Sequence, residues 1–479
     1  MSKKILVILA ALVLMTTYVV VVGLTRWGDV TPPEIVITTP FDEVGPTTPL
    51  SLRITDPGTG LRSISVQIVH NLKTYVITEQ AFASQGLLSA EGGTRHEFEL
   101  TVTPYEEETI PRKPGEAKLI ITARDHSWRN LLEGNRKRVT HEFTPKFTPP
   151  RLELLSSPAS ITQGGSGIVL YRVSPDAVIH GVKINSAFFP GYLMPEDDGM
   201  FALIAVPYNA RANTPIHLTA SDSVGNSAIL DVDLHVRKKS WRTRRIGISD
   251  RFIQKTVLPI IAQTPEISEQ ESNLDNFVTV NNQLRKSNNQ TIREFSKQTA
   301  ERFLWDKAFQ QLPGSQVEAA FADHRNYVYK NKIVDTQDHL GFDLAVTKHY
   351  PIQASNAGIV LFAGYLGIYG NTVIIDHGYG LQSLYAHLSS FSVQTGQSVE
   401  LGQEIGRSGT TGLAAGDHLH FSLVLHGEQV NPTEWWDANW VQTRIRNKLH
   451  LPKLQMENPD TEPAEEEESL GPVPPAILP

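Results

Sequence analysis

The sequence contains no cysteine among its 479 residues. Disulfide bonds are therefore excluded, and any bound metal must take its protein ligands from histidine, aspartate and glutamate. Cysteine content alone does not identify the compartment. Positive charge is not in excess either, since the formal net charge is -8. Acidic residues at 457–468 supply seven of those charges, so the rest of the chain is close to neutral and no nucleic-acid partner is expected.

What the sequence does have at its N-terminus is a long hydrophobic run. Lys3 and Lys4 precede about 20 apolar residues at 5–24, enough to cross a bilayer as a helix. The two lysines place the N-terminus in the cytoplasm and the remainder of the chain on the other side. A cleavable signal peptide is the alternative, but the run is long for one and lacks an evident small-x-small cleavage site. We therefore expect residues 1–27 to be an uncleaved transmembrane anchor.

Two stretches after this anchor share a pattern of short strands and turns. Residues 62–69 alternate polar and apolar, as a half-buried strand does, and the segment LIITARD at 119–125 is echoed by IHLTASD at 216–222. The second copy continues through Gly225 and Asn226 into an alternating run at 229–236. The repeat predicts two tandem β-sandwiches, at 28–147 and 148–236. The Ala-x-Asp turn followed by Gly-Asn resembles bacterial immunoglobulin-like modules, which implies only a spacer or a binding module.

The β pattern stops after the second module. Residues 237–245 form a basic cluster, interpreted as a solvated junction, with attraction to an anionic envelope polymer or to lipid headgroups as the alternative. Residues 281–311 have an imperfect apolar stripe, which predicts a helical connector within 237–312. The sequence leaves open whether this connector is a passive arm or a lid. Strands and glycine turns return at 313–440, and the acidic, proline-rich residues 441–479 are predicted to form a disordered tail.

The stretch 409–424 places two histidines on one face of a predicted strand. His418, His420 and Ser422 share that face because side chains alternate along a strand, while leucines and a phenylalanine form the other face. A lone histidine beside a strand is commonly a satisfied polar residue. Two on the same face favour a metal site, since neutral imidazole is the commonest metal ligand in proteins.

Further ligand candidates lie upstream. His339 and Asp343 would be about 13 Å apart in an extended strand, too far to bind one ion, but Gly341 between them allows the backbone to bend. Two histidines and one carboxylate leave a coordination position for water, the pattern of a catalytic zinc site, although iron takes a similar set. His387 lies on another alternating strand. A histidine left unligated beside a metal-bound water can act as general base or stabilise an oxyanion.

Together the motifs HLGFD (339–343), YAHLS (385–389) and HLHF (418–421), with the glycines around them, resemble the lysostaphin-like zinc endopeptidases over about residues 317–437. The resemblance implies that His339, Asp343 and His420 bind Zn²⁺ and that His387 and His418 are the catalytic pair. It also implies a mainly β protein in which 313–440 is an antiparallel-β peptidase domain. The remaining histidines of this region are expected to lie away from the metal: His324, His349, His377 and His426.

The function implied by this resemblance is that of a membrane-anchored zinc metalloendopeptidase that hydrolyses peptide bonds of peptidoglycan. The location would be the bacterial inner membrane, with most of the chain in the periplasm or extracytoplasmic space. The expected partners are peptidoglycan, the membrane and other cell-envelope proteins. Some relatives lack the ligands and activate other wall hydrolases, so a non-catalytic scaffold or activator is the alternative. A zinc peptidase that acts on proteins is a third interpretation, and the intact ligand set favours the enzyme.

Overall fold

In the computed structural model the described residues are 3–86, 89, 92–106 and 109–454, and strands are their main regular structure. The chain divides into two compact units. One comprises Met1–Glu153, Arg172–Gly181 and His217–Leu230, and the other comprises Leu154–Tyr171, Val182–Ile216 and Asp231–Pro479. The acidic end of the predicted tail, 455–479, lies outside the described residues.

A 26-residue helix, Lys3–Gly28, opens the first unit. At ~1.5 Å per residue it is about 39 Å long, enough to cross the ~30 Å hydrocarbon core of a bilayer. Thr16 and Thr17 donate their hydroxyl hydrogens to the carbonyl oxygens of Leu12 and Val13, so these polar groups are satisfied within the helix. The helix is long and apolar enough to span a membrane, and a signal sequence would meet the same criteria.

Two sheets of the first unit share one hydrophobic core. Alternate residues of their strands point into it, as Ile64, Val66 and Ile68 do with at most 2% of their surface exposed. The strand predicted at 62–69 is confirmed within Leu61–His70. One sheet has the order Glu43–Val44, Arg136–Pro145, Ala117–Asp125, Leu61–His70 and Lys73–Ala81, and the other has the order Glu34–Ile37, Leu50–Thr55 and Glu97–Val102.

The strand-and-turn repeat predicted at 119–125 and 216–222 is present. Asp125 Oδ1 accepts hydrogen bonds from the backbone N–H of Ser127 and Asn135, and its Oδ2 accepts one from Asn135 Nδ2. Asp222 Oδ1 likewise accepts from backbone N–H groups, and its Oδ2 accepts from Asn226 Nδ2. In both copies the aspartate that ends the strand therefore closes the turn through an asparagine.

The strands between 148 and 236 are mostly short. The alternating run predicted at 229–236 is split, because its second half, His235–Arg237, pairs in parallel with Ser160–Thr162. Within the second unit, residues 166–171 pair antiparallel with Met200–Ala205. The strands of this stretch are Leu152–Ser156, Ser160–Thr162, Ser166–Val173, Ala177–Ile184, Ala187–Pro190, Tyr192–Leu193, Met200–Ala205, Ile216–Asp222, Ser227–Asp231 and His235–Arg237.

The predicted connector, 237–312, differs from the expectation at both ends. The last residues of the basic cluster belong to a strand, Thr243–Ile248, which pairs in parallel with Asp323–Tyr329. The helical part ends at Phe295, so the predicted helix does not reach residue 311. Ser249 and Ser272 accept hydrogen bonds from the first turns and start its two helical stretches. These stretches consist of Asp250–Phe252, Ile253–Val257 and Leu258–Ala262, then Asn273–Thr279, Val280–Leu284 and Arg285–Phe295.

An eight-stranded sheet organises the rest of the second unit. Its pairs are antiparallel, as predicted for 313–440. The order is Gln316–Ala319, Phe342–Ala345, Leu419–Leu425, Leu381–Leu388, Asn371–Asp376, Gly358–Tyr365 and Ser398–Val399, with Glu428–Val430 also paired to Leu419–Leu425. Two three-stranded sheets contain Thr243–Ile248, Asp323–Tyr329 and Lys332–His339, and Pro351–Gln353, Glu404–Arg407 and Ser390–Phe391; a 3₁₀ turn spans Gly367–Tyr369.

The segment predicted to be a disordered tail from residue 441 begins with ordered structure. Val441, Ile445 and Leu449 are buried, and their spacing of four residues is that of a helix face. Residues 441–454 therefore fold because these apolar side chains are buried. The sequence prediction missed them because it treated this segment together with the acidic residues that follow. The helices here are Thr433–Trp436, Ala438–Arg444 and Arg446–Leu449.

Candidate metal centre

The strand Leu419–Leu425 lies in the middle of the sheet and brings the predicted ligands together by register. It pairs with Phe342–Ala345 so that His420 stands opposite Asp343. Its other neighbour is Leu381–Leu388, which ends one residue after His387. Residues separated by up to 81 positions in sequence thereby meet at the same end of neighbouring strands. His418 directly precedes the strand and forms an isolated bridge with Gly409.

Three side chains converge on one point. His339 Nε2 lies 2.9 Å from Asp343 Oδ1 and 2.9 Å from His420 Nδ1, and His420 Nδ1 lies 3.0 Å from Asp343 Oδ1. Two imidazole nitrogens and one carboxylate oxygen form a donor set that suits a borderline-soft divalent ion such as zinc. We call His339, Asp343 and His420 the His₂Asp cluster.

Gly341 was predicted to let the backbone bend between His339 and Asp343. In the structure, the small size of this residue is what leaves room for the His₂Asp cluster. The chain bends between the strands Lys332–His339 and Phe342–Ala345. A Cβ atom at Gly341 would lie 2.6 Å from His420 Cε1 and 2.6 Å from Ser422 Oγ. Any side chain at this position would therefore push His420 out of the cluster.

Each member of the His₂Asp cluster makes a further hydrogen bond through the atom that points away from the cluster. His339 Nδ1 donates to Ala320 O, and His420 Nε2 donates to Ser422 Oγ, whose hydroxyl donates to Leu340 O. These bonds select the tautomers in which His339 Nε2 and His420 Nδ1 are free to bind a metal. Arg325 Nη2 lies 2.7 Å from Asp343 Oδ2, so Oδ1 is the oxygen turned to the histidines.

Electrostatics favour the protonation states that metal binding needs. Burial raises the pKa of Asp343, but the charge of His339 and hydrogen bonds from the histidines outweigh it and hold the pKa well below its usual range. Burial lowers the pKa of His420 to about 4. At neutral pH the cluster is thus a carboxylate beside a neutral imidazole.

The two predicted catalytic histidines flank the cluster. The ring centroids of His387 and His418 are 4.8 Å apart, and that of His387 is 5.8 Å from His420. His387 Nδ1 donates to Thr411 O, which leaves Nε2 of the neutral His387 ring as the acceptor. His418 Nδ1 donates to Gly416 O, and its Nε2 lies 3.5 Å from Asp343 Oδ1. His387 has a left-handed backbone with φ of 63°, a strained conformation that recurs at functional sites.

All five predicted site residues line one groove with a volume of about 490 Å³. The connector forms part of its wall through Phe252, Phe277 and Arg285. The helices also share a hydrophobic core with strands of the eight-stranded sheet, through residues such as Val257 and Ile374. The connector is therefore built into the domain that contains the groove.

The other histidines lie outside the cluster, as expected. His377 is buried, with Nδ1 bonded to Ala357 O and Nε2 to Ser383 Oγ, and burial lowers its pKa to about 4. His426 stacks on Tyr192. His324 and His349 have other partners, Asp338 Oδ1 and Ser389 Oγ respectively.

Arg325 was not singled out in the sequence, and Ser422 was noted only as sharing a strand face with His418 and His420. Arg325 lies in a hairpin whose register pairs Asp323 with His339. The hairpin turn, Lys330 and Asn331, has positive φ at both residues and is an Asn-containing turn of the kind that sequence can indicate. Pairing outward from that turn would have brought Arg325 near the ligand segment.

Comparison with known proteins identifies relatives of the C-terminal part of the chain. Residues 337–432 match the model of peptidase family M23. The chain is 45% identical over 94 residues to the DD-carboxypeptidase/endopeptidase Mpg of Neisseria meningitidis, covering 20% of this chain and 22% of that protein. It is 34% identical over 128 residues to the peptidoglycan DD-endopeptidase ShyA of Vibrio cholerae, covering 26% and 29%. The chain thus spans between a fifth and a third of the length of these relatives.

A solved structure described as a peptidase M23 from Pseudomonas aeruginosa aligns with 57% of this chain and 94% of its own, at 21% identity and a TM-score of 0.33. The fold and the convergent histidines define a peptidase-type domain in the C-terminal part of the chain. That domain is an M23 peptidase domain of the lysostaphin-like family, which confirms the resemblance drawn from the three motifs.

Proposed function

We propose that this protein is a membrane-anchored zinc metalloendopeptidase that hydrolyses peptide bonds of peptidoglycan. The observation that supports this most directly is the convergence of His339, Asp343 and His420 beside two further histidines in one groove. The name of the Vibrio cholerae relative adds peptidoglycan as the substrate class. A Zn²⁺ ion held by the His₂Asp cluster would supply Lewis-acid chemistry, polarising the scissile carbonyl and acidifying water.

The chain's own residues would manage the proton. Hydrolysis breaks an O–H bond of water and the C–N bond of the peptide, adds the oxygen to the carbonyl carbon and delivers the proton to the leaving amine. His387 and His418 each keep Nδ1 bonded to a backbone carbonyl, so each can accept and return a proton at Nε2. The groove wall formed by the connector would position the peptide strand and limit the entry of bulk water.

The remaining parts of the chain fit this role. The helix Lys3–Gly28 would anchor the protein, uncleaved, in the bacterial inner membrane, with the peptidase domain on the periplasmic side. The β segments 28–147 and 148–236 would act as immunoglobulin-like spacers or as binding modules for other envelope proteins. Membrane fractionation with N-terminal sequencing tests the anchor, because a signal peptide would leave a mature chain that lacks residue 3.

The test of the activity uses the full chain in detergent with isolated sacculi as substrate. His420→Ala should lose both bound zinc and muropeptide release, because the cluster falls to two ligands. His349→Ala is the matched control, since this histidine lies on the same domain but outside the cluster. Cleavage by purified His420→Ala protein at the wild-type rate would overturn the assignment of this strand.

The same experiment separates the rival functions. Full zinc occupancy without cleavage of sacculi would favour a scaffold or activator, and cleavage of casein but not of muropeptides would favour a peptidase that acts on proteins. A shortened protein that starts at residue 313 is not a suitable substitute. It would lack the strand Thr243–Ile248 and the helices whose apolar residues share a core with the peptidase sheet.

A further inference from the structure

A second group of potential metal ligands lies in the first unit, outside the peptidase domain. The carboxylates of Asp29, Asp56 and Asp125 each offer an oxygen, and these oxygens lie within 4.8 Å of one another. Asp56 and Asp125 are completely buried and Asp29 is half-buried. Asp29 directly follows the N-terminal helix, Asp56 follows the strand Leu50–Thr55, and Asp125 ends the strand Ala117–Asp125. We call these three residues the Asp₃ cluster.

The hydrogen bonds that hold the cluster come from neutral donors. Asp29 Oδ2 accepts from the backbone N–H and the hydroxyl of Thr59, both at 2.8 Å. Asp125 accepts from Ser127 and Asn135 as described above, and Asn135 Nδ2 also lies 3.1 Å from Asp29 O. A Cβ at Gly58 would lie 2.3 Å from Asp29 Oδ2, so the glycine loop leaves room for this carboxylate. These contacts position three negative charges but do not neutralise them.

One oxygen of the cluster has no partner. Asp56 Oδ2 accepts a hydrogen bond from the backbone N–H of Gly60. Asp56 Oδ1 is buried and makes no hydrogen bond among the described residues. A buried carboxylate oxygen without a donor is costly, so this atom indicates a missing positively charged or proton-bearing partner. Burial, followed by the charges of Asp125 and Asp29, raises the pKa of Asp56 to about 6, against the hydrogen bond from Gly60 and the charge of His96.

The repeated turn in the chain shows what such an aspartate requires. Asp222 has the same strand-end position and the same asparagine contact as Asp125, and Lys146 Nζ lies 3.3 Å from its Oδ2. In the described residues of the first unit no lysine or arginine forms an ion pair with Asp125, Asp29 or Asp56. Lys146 also lies 3.3 Å from Asp176 and 3.8 Å from Glu43, so the carboxylates of the Asp222 copy are in direct contact with an ammonium group, whereas those around Asp125 have no such contact among the described residues.

Arg26 is a buried cation whose charge acts on Asp125 through space. It is 3% exposed, its guanidinium lies over the Trp128 ring, and its Nε and Nη1 have no hydrogen-bond partner among the described residues. One guanidinium against three carboxylates leaves a net charge of -2, which equals the charge that one divalent cation neutralises.

We propose that Asp29, Asp56 and Asp125 bind a divalent calcium ion, which ties the end of the N-terminal helix to the first β segment. Three carboxylates make an all-oxygen, hard donor set without the imidazoles that zinc prefers. Ca²⁺ takes such oxygen ligands at about 2.4 Å in a flexible geometry, whereas Mg²⁺ needs bonds of ~2.1 Å in a stricter octahedron and usually keeps several waters. Water and nearby backbone carbonyls would complete the coordination.

The test measures metal binding by the full chain in detergent, after dialysis against EDTA. Terbium is the probe, because Trp27 and Trp128 lie next to the cluster in sequence and can sensitise its luminescence. We expect one high-affinity site that Ca²⁺ displaces and Mg²⁺ does not, together with a rise in the unfolding temperature on adding CaCl₂. Asp56→Asn should weaken binding by about tenfold or more while hydrolysis of muropeptides stays unchanged.

Asp42→Asn is the matched control, since Asp42 is an exposed carboxylate of the same unit, and it should bind terbium as the wild type does. Asp29→Asn provides a second variant at a half-buried position if Asp56→Asn fails to fold. Equal terbium binding by wild type and both cluster variants, or a wild-type unfolding temperature that does not respond to CaCl₂, would overturn the proposal. In that case Arg26 alone balances the cluster.

Discussion

The His₂Asp and Asp₃ clusters differ in how their charge is balanced. In the His₂Asp cluster the single carboxylate has an arginine at 2.7 Å, and every distal ring nitrogen has a hydrogen-bond acceptor. In the Asp₃ cluster three carboxylates share neutral donors, and Asp56 Oδ1 has no donor among the described residues. The first arrangement is complete before a metal arrives, and its metal would add chemistry. The second is incomplete, and its metal would add stability.

Removing one carboxylate from each cluster gives the largest contrast. Asp343→Asn should lose zinc and reduce muropeptide hydrolysis by ~100-fold or more, because a ligand oxygen loses its charge. It should also lower the free energy of unfolding of the EDTA-treated protein by about 1–3 kcal/mol, since Arg325 loses its ionic partner. Asp56→Asn should instead raise that free energy, since it removes a repelled charge.

Zinc content, sacculus digestion and denaturant unfolding of the two variants check this contrast. If both substitutions change the stability in EDTA with the same sign, the two clusters are not balanced in the different ways described here.

Arg325 tests whether the preorganisation of the His₂Asp cluster matters. Arg325→Gln should weaken zinc binding by about 10–100-fold, because Asp343 Oδ2 loses the donor that turns Oδ1 to the histidines. Arg325→Lys should restore part of the affinity, since the charge remains but the planar fork is lost. Competition with a chromogenic chelator measures the affinity. Arg251→Gln, at an exposed arginine of the connector, should leave it unchanged.

Much of the His₂Asp cluster was predictable because its signals are local. The alternation of the 418–425 segment and the glycine between His339 and Asp343 indicated a histidine face and a bend. The register that sets Asp343 opposite His420 was not predictable from spacing, because the two strands are 77 residues apart. There the family resemblance supplied what local pattern could not.

The sequence analysis missed the strand Thr243–Ile248 and the Asp₃ cluster, and each omission has a physical reason. Arg244, Ile246 and Ile248 alternate with exposed residues as in a strand. The sequence analysis instead interpreted this segment as a basic cluster, because of the lysines and arginines around it. The Asp₃ cluster needs the ends of two strands and a helix to meet. Its members are 27 and 69 residues apart, and nothing in their local sequence distinguishes them from ordinary turn aspartates.

The smallest expected effect is a pH dependence that the Asp₃ cluster alone should produce. Burial, Asp125 and Asp29 raise the pKa of Asp56 to about 6, while its backbone contact with Gly60 and the charge of His96 lower it. A carboxyl whose pKa is raised in the folded state stabilises the fold below its unfolded pKa of about 4, and this contribution is lost as the pH rises through about 6.

In EDTA the free energy of unfolding should therefore fall between about pH 4 and pH 6, by at most ~3 kcal/mol, in wild type relative to Asp56→Asn. Saturating CaCl₂ should abolish that difference in slope, because the cation replaces the proton as the partner of Asp56. Urea unfolding at several pH values, with and without CaCl₂, measures both slopes. A wild-type slope that matches Asp56→Asn in EDTA would mean that Arg26 already compensates the buried charge, and the two clusters would then be balanced in the same way.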